Sequence, residues 1–189
     1  PFVQVMAFLL MIAELFFVLW VSVTIALHAY AHIHGHPKDT TALSAKARTL
    51  IAPLLMITLL ETLIFIGGVL LFIIPALIFS VWFGMSQFLL LFEGKRGLDA
   101  LSASRALTKG RFWRSAALII GGPLILMLIY SFILSLLTAG ISAIQGLDPV
   151  ELLLGELPLW VNVLEAIGEV FLVPLIMIYF TYVYLELKN

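Results

Sequence analysis

The sequence predicts an all-α fold, a polytopic transmembrane helical bundle, and three observations carry that expectation. Of its 189 residues, 63% are apolar and only 11% charged, against about 45–50% and about 25% in an ordinary water-soluble domain. The mean hydropathy is +1.18. The apolar residues gather into five runs, about 1–31, 50–73, 76–92, 112–139 and 158–187, each near or above the roughly 20 residues that cross a bilayer as a helix. So few charges cannot form a solvated shell over that much apolar surface. The same figures exclude a disordered chain, a collagen-like repeat and a nucleic-acid-binding domain. Cysteine is absent, which removes disulfides, thiolate nucleophiles and cysteine-held metals. The chain reads as one integral membrane domain over residues 1–189.

The first run is too long for a signal peptide and lacks a small-residue cleavage site. It closes on histidines followed by Gly35 and Pro37, a helix stop. Asp39 then offers an N-cap for a short polar helix from Thr40 to about Thr49. The second run contains Gly67-Gly68 and closes before Ile74-Pro75, where a bend is expected because the residue before proline resists the α conformation. The third run ends at Glu93-Gly94. Within the fourth, Gly121-Gly122-Pro123 should kink the helix. The loop from Gly140 to Leu157 carries Asp148-Pro149-Val150-Glu151, a capping sequence for a short interfacial helix. The last run holds Pro174 midway.

The basic residues set an expected orientation. Lys38, Lys46 and Arg48 lie in the first connector, and Lys95, Arg96, Arg105, Lys109, Arg111 and Arg114 in the second. Lys188 is at the C-terminus. The loop before the last run has no basic residue and carries Asp148, Glu151 and Glu156. The positive-inside rule places the basic segments and the C-terminus in the cytoplasm and the acidic loop outside. One further span ahead of Pro1 would make six spans.

Four carboxylates fall inside apolar runs: Glu14, Glu61, Glu165 and Glu169. A charge at the bilayer centre costs at least about 2.5–3.5 kcal/mol. Each is expected to face the bundle interior or a partner. Glu165 and Glu169 share one helix face. Two readings stand: a proton- or cation-coupling site made by Glu61, Glu165 and Glu169 as they converge, or glutamates hydrogen-bonded to neighbouring helices. His28 and His32, four residues apart, could bind a divalent metal on one helix face. Against this, imidazoles at a helix end also suit its dipole. Tyr179, Phe180, Tyr182 and Tyr184 suit an aromatic belt at the membrane interface.

The connector from Glu93 to Arg114 is the most informative stretch. Leu98, Ala100, Leu101, Ala103, Ala106 and Leu107 give an apolar side, and lysines and arginines a polar one. Phe112 and Trp113 sit where an interfacial anchor belongs. The functional reading is an amphipathic helix that contacts anionic headgroups or a partner protein through Glu93, Ser104, Arg105, Lys109, Arg111, Trp113 and Arg114. The plainer reading is a topogenic loop packed under the bundle. No nucleophile–base pair, P-loop or dinucleotide fingerprint appears.

A wider pattern surrounds this connector. Ile74-Pro75 is followed by a span and Glu93-Gly94. Then come Ala100-Leu101, Ser104, Leu107-Thr108-Lys109-Gly110 and Arg111-Phe112-Trp113, and the chain closes on Tyr184-Leu185-Glu186-Leu187-Lys188. Over about residues 40–189 this resembles the bacterial family labelled the glycerophosphoryl diester phosphodiesterase membrane domain, and similar uncharacterised multi-pass bacterial membrane proteins. Ala76 stands where that family commonly has glycine. The resemblance implies a multi-pass module of the bacterial cytoplasmic membrane, associated with lipids, without the soluble phosphodiesterase barrel that gives the family its name. It implies no enzymatic activity and no cofactor. The expected partners are membrane lipids, partner membrane proteins or a second copy, and no nucleic acid. The alternative is a small proton- or cation-coupled transporter using the intramembrane glutamates.

Overall fold

A computed structural model describes residues 2–35, 39–146 and 158–188. Among these the chain is all α-helical. Five helical segments are long and apolar enough to cross a membrane. The capping sequence at Asp148–Glu151, His36, Pro37 and Lys38 lie outside the described residues.

Helix α1 (Phe2–Ile33) ends where Gly35 takes φ 68° and its N–H bonds the His32 carbonyl. Asp39 caps α2 (Thr40–Leu71), accepting from the Thr41 N–H at 3.1 Å and the Thr41 hydroxyl at 2.6 Å. The expected short polar helix at 40–49 is corrected: α2 runs unbroken for 32 residues. Nothing between Thr40 and Leu50 breaks a helix, and alanines there favour one. Two side chains clamp α1 to the start of α2. The Trp20 indole N–H donates to the Ser44 carbonyl at 3.1 Å, and the Arg48 guanidinium lies 5.0 Å from the centre of the same ring.

The chain then reverses at Phe72, whose backbone is extended. The turn therefore falls earlier than Ile74-Pro75. Pro75 sits in the first turn of α3 (Ile73–Phe83), where a missing N–H breaks no helical bond. Gly68 lets the hairpin close: a Cβ there would stand 2.8 Å from Ala76 Cα. The third apolar run is not one helix. It divides at Gly84-Met85 into α3 and α4 (Ser86–Glu93), which ends on Gly94 at φ 72°. The fully buried Ser104 hydroxyl accepts from the Met85 N–H at 3.1 Å. A polar contact from the next helix thus stabilises the break.

Helix α5 (Gly97–Thr108) is followed by α6 (Phe112–Ala116), a π-helical turn (Ala117–Gly121) and α7 (Gly122–Gln145). These last three form one 34-residue apolar segment. It extends past the expected end at Ala139 to Gly146, which closes it at φ 69°. The π turn explains the Gly-Gly-Pro sequence. The Gly122 N–H bonds the Ala117 carbonyl, five residues back. In that register Leu118 would accept from residue 123, which is proline and has no N–H. The Tyr179 hydroxyl donates to the Leu118 carbonyl instead, at 2.8 Å. Only glycine at 122 admits that ring, since a Cβ there would meet the tyrosine oxygen. Tyr179 belongs to the last helix, α8 (Leu159–Lys188). A mirrored contact lies further along: Tyr130 of α7 packs over Gly168 of α8 and donates to the Glu165 carbonyl at 3.2 Å. The two helices are antiparallel.

The core sits at the end of the bundle where the polar connectors lie. Val23, Ala26 and Leu27 of α1 meet Leu43, Ala47, Leu54 and Ile57 of α2. Leu89 and Leu90 of α4, Ala100 and Leu101 of α5, and Tyr184 and Leu187 of α8 complete it. At the opposite end the helices expose apolar side chains, Phe72 and Ile144 among them. Lipid solvates such surface as well as a protein core does.

Candidate headgroup-binding site at the basic connector

Helix α5 buries only part of the apolar side expected from its sequence: Leu98, 71% exposed, and Ala106 face outward. Ala100, Leu101, Ser104 and Thr108 are buried, while Ser102, Arg105 and Lys109 face outward. The Ser104–Met85 bond and the apolar face fix the outward residues against α3. Gly110, at φ 82°, turns the chain sharply into α6. Between α3 and α5 lies an open cleft of about 610 Å³, lined by Ile78, Trp82, Arg105, Lys109, Gly110 and Phe112 among others. The Arg105 guanidinium lies 4.3 Å from the Trp82 ring centre. This cation–π contact holds the charge at the cleft without using its N–H donors on another side chain. A basic rim over an apolar, aromatic wall suits a phosphate joined to a hydrocarbon. Arg111 and Trp113 stand exposed beside it, Trp113 at 84%. Arg114 is exposed and ion-paired with Glu186.

Two residues of the expected contact surface are engaged by the protein's own side chains instead. Ser104 has no exposed surface. Glu93 joins three groups: the Tyr184 hydroxyl donates to its Oε1 at 2.6 Å, Lys188 Nζ reaches the same oxygen at 2.8 Å, and Lys95 Nζ reaches Oε2 at 2.9 Å. Around this hub Tyr30 stacks on Phe92 at 4.1 Å, and Phe92 meets Tyr184 at 5.0 Å. The aromatic belt is corrected accordingly. Tyr184 is fully buried, Phe180 packs on Phe88 and Tyr179 on the π turn, so that Tyr182 alone of the four is strongly exposed. The missed partners had a local trace: Tyr184 and Lys188 are four apart on one helix face. Trp82 had none, because its contact with Arg105 depends on how two helices pack.

The intramembrane carboxylates do not converge. Glu61 accepts from the Gln87 side chain at 2.9 Å, and its other oxygen is buried with no hydrogen-bond partner. Glu14 and Glu169 are exposed, and Glu165 is half-buried beside Tyr130. Among the described residues no three His, Asp or Glu side chains gather as a metal site. This overturns the expected meeting of Glu61, Glu165 and Glu169. No third such side chain joins His28 and His32 among the described residues. His28 Nδ1 lies 3.0 Å from the Thr24 carbonyl, to which it must donate, and Nε2 then accepts from the Thr40 hydroxyl at 3.4 Å. His28 therefore ties α1 to the start of α2.

The fold and this site define a class, an α-helical bundle of membrane-spanning type with a basic, aromatic connector face. No protein-family model, curated protein or solved structure matches the chain.

Proposed function

We propose that the chain is a non-enzymatic integral membrane module that holds anionic lipid headgroups in the α3–α5 cleft. The observation that carries this reading is the cleft itself, where Arg105 and Lys109 stand over Trp82 and Phe112. The orientation follows from charge. With the basic connectors and C-terminus in the cytoplasm, the cleft opens toward the anionic leaflet of a bacterial cytoplasmic membrane. The meeting of Lys95 and Lys188 on Glu93 supports a common side for the second connector and the C-terminus. The resemblance to the glycerophosphoryl diester phosphodiesterase membrane domain fits this role. Its Glu-Gly and closing Tyr-Leu-Glu-Leu-Lys segments meet at Glu93 and Tyr184, so the resemblance covers residues that pack together. Partner membrane proteins, or a second copy, would approach along the lipid-facing helices.

Each basic residue near an anionic surface contributes about 1 kcal/mol. Replacing Arg105, Lys109 and Arg111 together by glutamine should therefore weaken retention of phosphatidylglycerol by about a hundredfold. Native mass spectrometry of lipid carried from nanodiscs reads this directly. Equal retention by wild type and a folded triple variant would refute the proposal. Arg114 is left in place, because its pairing with Glu186 would mix a packing effect into the result.

A further inference from the structure

Three polar side chains meet the α3–α5 cleft from one element: Ser102, Arg105 and Lys109. Ser102 and Arg105 are three residues apart on α5, and Lys109, its C-cap, follows four further on, so all three lie along one side of the helix. All three are exposed. Arg105 rests on the Trp82 ring with its N–H donors free. Among the described residues Lys95, Lys188 and Arg114 are paired with Glu93 or Glu186, whereas neither Arg105 nor Lys109 has an ion-pair partner. No carboxylate lines the cleft. It therefore carries two uncompensated positive charges. The third group is different in kind. The Ser102 hydroxyl donates to the Asp99 carbonyl at 3.0 Å, which leaves its oxygen free to accept. A hydroxyl can also turn its proton outward, so it serves either a donor or an acceptor.

We infer that the cleft selects a phosphate monoester joined to a hydrocarbon over a phosphate diester. The inference rests on the headgroup reading above and narrows it. A monoester phosphate has three terminal oxygens and a charge of about −1.5 to −2 at pH 7, because its second pKa is about 6. A diester has two terminal oxygens, a single charge and no P–OH. Two oxygens of the monoester meet Arg105 and Lys109, and its charge balances both. The third oxygen meets Ser102, which accepts from it when it carries a proton and donates to it when it does not. On a diester that oxygen is esterified, and one cation stays uncompensated. Hydrogen bonds between ionised partners are roughly twice as strong as neutral ones, so the additional charge counts. Ile78, Trp82 and Phe112 form the apolar wall. Inorganic phosphate would leave this wall uncovered, whereas a hydrocarbon attached to the phosphate packs against it. The 610 Å³ of the cleft equals roughly twenty water volumes at about 30 Å³ each, room for the phosphate and the first carbons of its chain.

The test uses the purified full chain in nanodiscs holding equal phosphatidic acid, phosphatidylglycerol and phosphatidylcholine with the same acyl chains. Native mass spectrometry at neutral pH should show phosphatidic acid retained at least about fivefold over phosphatidylglycerol, and phosphatidylglycerol over phosphatidylcholine. Ser102→Ala should lower the ratio of phosphatidic acid to phosphatidylglycerol about threefold. Lys109→Gln should bring that ratio close to one. Dodecyl phosphate added to wild type should displace phosphatidic acid at concentrations where inorganic phosphate does not. Equal displacement by the two would support the three-point seat and assign it to free phosphate. Equal retention of phosphatidic acid and phosphatidylglycerol, both above phosphatidylcholine, overturns this inference and leaves the headgroup reading standing. Loss of all preference over phosphatidylcholine overturns both. A monoester preference that survives both substitutions in folded protein also overturns the inference. The wild-type comparison of the three lipids stands even if a variant fails to fold.

Discussion

The two ends of the bundle are built by different rules. At the connector end, side chains from α1, α2, α4, α5 and α8 interlock as in a water-soluble core, with Tyr184 fully buried under the Glu93 ion pairs. Away from it, α7 and α8 hold together through glycines that admit a tyrosine from the opposite helix, Tyr179 on Gly122 and Tyr130 on Gly168. The remainder of their surface there is mostly apolar and exposed, with Glu169 and Asn162 among the exposed polar residues. In lipid no hydrophobic force drives such helices together, so close approach over small residues and shared hydrogen bonds must do so. Water and charge reach the connector end, and there both apolar burial and ionic contacts contribute. The basic cleft lies in the better-packed half, beside the buried face of α5.

The largest expected effect breaks the connector end. Tyr184→Ala removes a fully buried aromatic ring and leaves Glu93 with the two lysines alone. It should cost about 3–5 kcal/mol, read as loss of folded protein in thermal unfolding in detergent. A loss below about 1 kcal/mol would show that this end is not the stabilising core.

The α7–α8 pair should respond more weakly and in a graded way. Gly122→Ala drives a methyl group into Tyr179 and should cost about 1–3 kcal/mol. Tyr179→Phe leaves the Leu118 carbonyl without a donor and should cost about 0.6–1.7 kcal/mol, the range of polar contacts between membrane helices. The double substitution should cost less than the sum, because both remove one contact. Strict additivity would separate the glycine from the tyrosine and undo the explanation of the π turn.

Legibility in the sequence follows the same division. Five apolar runs, the Gly94 stop and the Asp39 cap were readable because composition and caps act locally. The unbroken α2, the split at Gly84-Met85 and the π turn were not. The last two are settled by residues distant in sequence: Met85 by Ser104, Leu118 by Tyr179. The amphipathic α5 was readable from its periodicity, and its basic residues do line a cleft. Its partner Trp82 was not, nor were the burial of Ser104 and the ion pairs of Glu93, because burial and ion pairing are tertiary facts. The four glutamates were expected to face the interior or a partner; Glu61 does so through Gln87, whereas Glu14 and Glu169 are exposed, a difference set by packing that composition does not carry.

The smallest effect concerns the cap of α2. Hydrogen bonds from the Thr41 hydroxyl and N–H hold the Asp39 carboxyl below its ordinary range. A group whose pKa is lowered by folding contributes above its unfolded value, and the contribution fades as pH falls through the folded one. Fraying at Thr40–Thr41 should thus appear only under acid, in amide exchange of the wild type. Asp39→Asn should abolish the pH dependence while preserving the cap. A fraying transition near neutral pH would contradict it.

The central claim, that the basic cleft gathers anionic lipid while the opposite end meets lipid without selection, has a direct test. A photo-crosslinking amino acid is placed at Ala106, on the cleft, or at Ile144, 88% exposed at the far end. Both proteins are irradiated in nanodiscs of mixed phosphatidylglycerol and phosphatidylcholine, and the adducts are weighed by mass spectrometry. Adducts at Ala106 should be enriched severalfold in phosphatidylglycerol over the bulk ratio, and those at Ile144 should match it. The same lipid ratio at both positions would contradict the claim.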